Sequence, residues 1–188
     1  QKWRLTGLLR GQLGTNDAMI VGSAAEADFV ILDGGVVPAG LLPGEIGLEL
    51  NWRVGPSGSD ISDLQFVTSR QIGGLRAQLP LSPVHLRASR SAGDVLLSWV
   101  RRGRIGADSW DAAEIPLGEE REEYRLEIAG PGGPVVRTVT VGQQQWLYPA
   151  TDIASDFAVL PPTLDITVRQ LSNSVGWGIP ATARLALV

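Results

Sequence analysis

From Pro83 to Val188 the chain repeats one pattern. Short runs carry an apolar side chain at every second position, and each run closes near Gly, Pro, Asp or Ser. A period of two sends alternate side chains to opposite faces of a strand, so such a chain buries one face of a sheet and solvates the other. Seven runs follow one another. Residues 83–88 set Val84, Leu86 and Ala88 inward and His85 and Arg87 outward. Residues 94–99 set Val95, Leu97 and Trp99 inward. Residues 123–128 alternate in the same way. The turn Gly130-Pro131-Gly132-Gly133 leads to 135–141, and a short run covers 145–148. Residues 163–169 set Leu164, Ile166 and Val168 inward, and 183–187 close the series. Strands this short at this spacing predict an all-β fold whose main part is a two-sheet sandwich with Greek-key connections.

The chain in front is also apolar and turn-rich. Strands are expected over 3–9, over 28–32 ahead of Asp33-Gly34-Gly35, over 45–54 and over 64–68. Ile46, Leu48, Leu50, Trp52 and Val54 fall on one face of the third. Residues 1–79 are thus read as a small antiparallel β barrel or sheet. Pro80 and Pro83 favour extended backbone, which makes 80–83 a short, stiff linker. Residues 84–188 form the sandwich, with a long insertion over 101–120.

Composition narrows the function. Hydrophobic residues make up 44% and charged residues 19%, the balance of a globular chain. Sixteen basic and twenty acidic residues give a net charge of −4, which argues against nucleic acid as a direct partner. There is no cysteine, so disulfides and thiolate chemistry are excluded, which fits assembly in a cytosol. A single histidine, His85, rules out a two-imidazole relay or a His-based metal site within one chain, and its place on a polar strand face marks it as a surface residue. No apolar run is long enough for a membrane-spanning helix. The chain begins at Gln1 and shows no signal peptide, and it is read as the C-terminal piece of a longer protein.

Two resemblances sharpen this picture. Trp99 on the second strand, Tyr124 opening the third, and Gly176-Trp177-Gly178-Ile179-Pro180-Ala181 before the last resemble the fibronectin type III pattern. In that family a Gly-x-Gly-x-Pro-Ser/Ala stretch joins the last two strands. Here Leu164 or Ile166 stands where the family carries a tyrosine. The segment from Trp3 to Thr15 is similar to one near the end of the tail-tip or baseplate hub proteins of siphophages. The stretch from Ser98 to Trp110 resembles the corresponding hub ("megatron") protein of the gene transfer agents of alphaproteobacteria, phage-derived particles that package host DNA. The likeness runs from Trp3 to the end of the chain. It implies a homotrimeric hub, other baseplate and tail proteins as partners, and a place at the tail tip of a particle assembled in the bacterial cytoplasm and then released. It carries over no catalytic motif and no cofactor.

Candidate interaction residues follow from the insertion and the glycine-flanked tryptophan. Arg101, Arg102 and Arg104 make one end of the insertion basic. Asp108 reads as a helix cap with Asp111 three residues on, the turn stopping before Pro116 and Trp110 packing over its surroundings. Asp108, Asp111 and Glu114 share a face in that arrangement, but Ca²⁺ needs six or more oxygens and usually closer spacing, so no metal site is assigned. Trp177 either stacks on a sugar or folds back over the end of the core. Trp146 and Tyr148 share a strand face that suits packing better than a ligand platform. Ser98 lacks a nucleophile elbow, and 11–15 lacks the Gly-Lys-Ser/Thr of a phosphate loop. Leu96 and Val100 are apolar on the strand face where a free sandwich carries polar residues, which predicts that something covers them.

The expectation is therefore a structural, non-enzymatic component of a tail-tip baseplate hub that contributes to assembly and host-surface attachment. The alternative is a carbohydrate-binding module recognising capsule or lipopolysaccharide, a cell-surface glycan, through Trp110 or Trp177.

Overall fold

A computed structural model describes residues 4–12, 14–107, 109, 111 and 114–187. The chain forms two compact units, Glu26–Gln78 and, separately, Gln1–Ala25 together with Leu79–Val188.

In the Glu26–Gln78 unit, β1 (Glu49–Val54) pairs antiparallel with β2 (Val67–Ile72), Trp52 opposite Ser69 and Val54 opposite Val67. A 3-10 turn at Pro43–Glu45 precedes them and the short helix α2 (Leu75–Gln78) follows. The sheet expected in this region is thus a single two-stranded ribbon. The strand expected over 45–54 starts only at Glu49, because Gly47 sits at φ +81° and turns the chain. The strand expected over 64–68 lies later, since Asp60 and Asp63 close turns through their carboxylates on the N–H groups of Ser62 and Gln65. Residues 28–32 belong to no sheet among the described residues.

In the other unit, the strand expected over 3–9 is also absent from its described part, 4–9. Gly7 at φ +66° interrupts the extended run, and Leu5, Leu8 and Leu9 are exposed. A short helix, α1 (Asn16–Val21), follows.

The sandwich then follows the alternation closely. Its strands are β3 (Val84–Ser91), β4 (Asp94–Val100), β5 (Tyr124–Ala129), β6 (Val135–Val141), β7 (Gln145–Tyr148), β8 (Thr163–Ser172), β9 (Gly176–Trp177) and β10 (Ala181–Ala186). One sheet runs β3-β4-β7. The other runs β10-β8-β5-β6, with the two-residue β9 added on β8. All pairs are antiparallel. This order is that of a fibronectin type III-like sandwich, and the chain is all-β apart from short helices.

The inward positions meet in one core. Val95, Leu97, Trp99, Tyr124, Leu126, Ile128, Tyr148, Ile153, Leu164, Ile166 and Val168 are all buried in it. Each full burial of a large apolar side chain is worth about 1.5–3 kcal/mol, so this cluster supplies most of the drive to fold. Ala92 and Gly93, both at positive φ, make the tight turn between β3 and β4. His85, at φ +53°, occupies a bulge where the β3–β4 ladder skips from Val84–Val100 to Arg87–Ser98, and its side chain is exposed.

The run expected as a linker is part of this unit. Pro80 and Pro83 are buried, and the Pro80 carbonyl accepts the Ile179 N–H at 3.1 Å. Gln1–Ala25, expected with the first domain, groups with the sandwich. Asn16 and Gly14 supply the reason, the first through a hydrogen bond to Arg102 and the second by lying under Leu81.

Candidate interaction site

Three connections meet at one end of the sandwich: the long β4–β5 loop, the β6–β7 turn and the β8–β10 loop. The Trp99 N–H donates to the Gln144 carbonyl at 3.0 Å, and the Arg101 N–H donates to Gln144 Oε1 at 3.0 Å. The Leu171 N–H reaches the Glu123 carbonyl at 2.9 Å. Asn173 Nδ2 donates to Glu120, which ties the β8–β10 loop to the β4–β5 loop. Loops held by a rigid scaffold are where binding residues concentrate, as at the antigen-binding end of antibody variable domains.

The loop arginines are spent on the protein itself. Arg101 Nη2 and Nη1 donate to the carbonyls of Ile115 and Pro116 at 2.6 and 2.8 Å, with Nε 3.8 Å from Glu122. Arg102 Nε and Nη2 donate to the carbonyl and hydroxyl of Ser82 at 2.8 and 2.7 Å, and its Nη1 lies 3.3 Å from Asn16 Oδ1. Burial pulls the Arg102 guanidinium below its usual value. Arg104 Nε and Nη2 both reach Glu119 Oε1 at 3.2 Å, and that carboxylate is only 7% exposed. The expected basic end of the insertion is therefore directed inward. Its three cations fasten the loop instead of advertising charge.

Gly103 allows the two arms of the loop to cross. A Cβ there meets Ile115 Cγ2 at 2.4 Å, closer than carbon atoms approach, and Ala107 Cβ at 3.0 Å, a tight contact. Gly103→Val is expected to loosen the loop while sparing the sandwich. Limited trypsin digestion checks this. Cleavage at Arg101, Arg102 or Arg104 should become at least tenfold faster, with the thermal midpoint of the sandwich shifted by only about 2 °C.

Trp110 and Asp108 lie outside the described residues. Asp111 and Glu114 sit in turn and bend geometry and are exposed. No group of three or more acidic or imidazole side chains is placed to hold a metal among the described residues. Trp177 is half-buried on β9, opposite Leu171. Both flanking glycines are required by geometry. Gly176 sits at φ +82°, and a Cβ on Gly178 falls 2.6 Å from the Pro80 carbonyl oxygen. Trp177 is thus fixed at the loop end with part of its surface accessible.

Under the loops, Tyr124 donates its hydroxyl to Glu122 Oε1 at 2.6 Å and meets the Trp99 ring edge-on at 5.3 Å. Burial, reinforced by Glu122, pushes its phenol far above the ordinary value. Trp146 stacks on Tyr148 at 5.1 Å, with Tyr148 wholly buried. That pair is core packing. Leu96 is half-buried and Val100 is 45% exposed, with Leu147, 50% exposed, opposite Leu96 on β7.

A second polar cluster was not anticipated. Arg137 on β6 donates through Nε and Nη2 to Asp156 at 2.5 and 3.1 Å, and its Nη1 forms an ion pair with Asp152 at 2.9 Å. Tyr148 donates its hydroxyl to the same Asp156 at 2.5 Å. Both acids lie on helix α3 (Ala150–Asp156), so the cluster pins that helix to β6 and β7. A signal existed in the sequence. On β6, Arg137 shares the inward parity of Val139 and Val141, and an inward arginine requires an acidic partner.

No protein-family model matches the chain, and no curated protein matches it in sequence. Among solved structures, the chain is similar to domains d3–d4 of the rat CD45 extracellular region, at 12% identity over 87% of this chain and 77% of that one, with a TM-score of 0.41. It is also similar to the Clostridium perfringens spore cortex lytic enzyme SleM, at 11% identity over 57% of this chain and 28% of that one, with a TM-score of 0.36.

Proposed function

We propose that this chain is a non-catalytic structural component of the tail-tip baseplate hub of a phage-like particle related to gene transfer agents. The observation that carries the assembly reading is the surface of the Glu26–Gln78 unit. Among its described side chains none is buried, while Phe29, Val30, Ile31, Leu32, Val37, Val54, Val67 and Ile72 are all more than half exposed. A two-stranded ribbon with such a surface is not stable alone in water and gains its stability from what it is assembled with. The resemblance of 3–15 and 98–110 to hub proteins supplies the setting. In this role the sandwich projects its loop end from the hub, and the inward arginines give that end a fixed shape.

Host attachment enters through Trp177, the aromatic that the loop end leaves partly accessible. Purified chain applied to encapsulated and capsule-deficient host cells tests this part. A scaffold binds neither strain. Capsule-dependent binding lost in Trp177→Ala makes the chain a receptor-recognition module and locates its site at Trp177. Peptide mass spectrometry of purified particles tests the setting: the hub reading requires peptides of this chain in tail-bearing particles.

A further inference from the structure

Within the Glu26–Gln78 unit, an apolar run and a two-stranded ribbon each lack a neighbouring strand among the described residues. Phe29, Val30, Ile31 and Leu32 follow one another and are 65%, 67%, 66% and 82% exposed. Phe29, Val30 and Ile31 are strong strand formers. Yet the backbone of 28–32 makes no hydrogen bond among the described residues. The run ends in a built turn. The Asp33 carboxylate accepts the Gly35 N–H at 2.9 Å, and the Asp33 carbonyl accepts the Val36 N–H at 3.0 Å. The ribbon is β1–β2, whose two outer edges have no strand beside them among the described residues. Beside it, Leu41, Trp52, Val54 and Gln71 line an open groove of about 530 Å³ whose walls are almost wholly apolar.

We infer that residues 28–32 of one copy add as a strand to the β1–β2 ribbon of a second copy, each copy both giving and receiving a strand. The argument from charge picks the pairing. The donated run carries Glu26, Asp28 and Asp33 and no basic residue between them. The β2 strand carries Arg70 and no acid. An acid-flanked apolar strand therefore fits the β2 edge, and its apolar side chains fit the groove beside Trp52. Strand addition also supplies hydrogen-bond partners to both open backbones, which water alone satisfies otherwise. The inference rests on the assembly reading for the need of a partner, and it goes further by naming the two segments, one from each copy, that meet.

Sedimentation of the full chain over a range of concentrations, combined with hydrogen exchange, provides the test. The expected result is a discrete oligomer whose amides at 29–32 gain protection as concentration rises. Val30→Pro removes a strand donor and should give a monomer, with amide protection in β5 and β8 unchanged. Arg70→Glu keeps the backbone and should weaken association about five- to tenfold. A monomer at every concentration overturns the inference. So does an oligomer that survives Val30→Pro, protection of 29–32 that is independent of concentration, or association without a defined stoichiometry. Particle localisation is separate. A monomeric chain found at tail tips sinks the strand exchange alone, and an exchanged oligomer absent from tail tips sinks the hub reading alone.

Discussion

Trp99→Ala is expected to cost about 3–5 kcal/mol of sandwich stability. Trp99 is 4% exposed and lies on the central strand β4 of its sheet, against Tyr124 from the opposing sheet. Truncation removes the edge-on contact with Tyr124 and leaves a cavity that flanking strands, held in register on both sides, are poorly able to close. Domains of this size are stable by only about 5–15 kcal/mol, so the variant should sit close to unfolding at 37 °C. Urea denaturation followed by far-ultraviolet circular dichroism checks this through the midpoint at unchanged slope. Trp177→Ala serves as the control, since the half-buried Trp177 lies on the two-residue β9 and should cost about 1 kcal/mol.

Arg137→Met should be the next most damaging change, at about 2–3 kcal/mol. Methionine retains the apolar stem, but it strips Asp156 of both guanidinium hydrogen bonds and leaves Asp152 without its partner. The Asp156 side chain is 11% exposed, so water replaces those bonds incompletely. Helix α3 should then lose amide protection before the strands do. A pH dependence follows. The hydrogen bond from Arg137 holds the Asp156 carboxyl below its ordinary value of 3.8, against the opposing effect of burial. Asp165 is held at about 2, first by its hydrogen bond from Arg184 and then by the Gly132 N–H. A carboxylate depressed in the fold contributes fully above its unfolded value and loses that contribution as pH falls through the folded one. The sandwich should therefore lose stability between about pH 4 and pH 2, and Arg137→Met should lose less over that window than the parent. An equal slope in both proteins would contradict the assigned cause.

The sandwich was legible because its information is local and redundant. On β4 and β8 the inward parity set by Val95, Leu97 and Trp99, and by Leu164, Ile166 and Val168, is the burial pattern observed. The 1–79 region misled for the converse reason. Phe29–Leu32 has the composition of a buried strand, but composition does not supply a neighbour, and a strand exists only as part of a ladder. Glycine conformations decided other boundaries, as at Gly7 and Gly47, where positive φ breaks runs whose side chains alternate well. The loop site was half legible. The insertion and Trp177 were identifiable as distinctive. The inward course of Arg101, Arg102 and Arg104 was not, because their partners at Ile115, Pro116, Ser82 and Glu119 are brought near only by the folded loop. Carbonyl acceptors leave no trace in a sequence.

The most direct test of the hub assignment is electron microscopy of purified phage-like particles labelled with gold-conjugated antibody raised against this chain. The account predicts gold at the distal tip of the tail, with none on the head or along the tube. Labelling of the bacterial surface in the absence of particles, or particles whose tips stay bare, would contradict it.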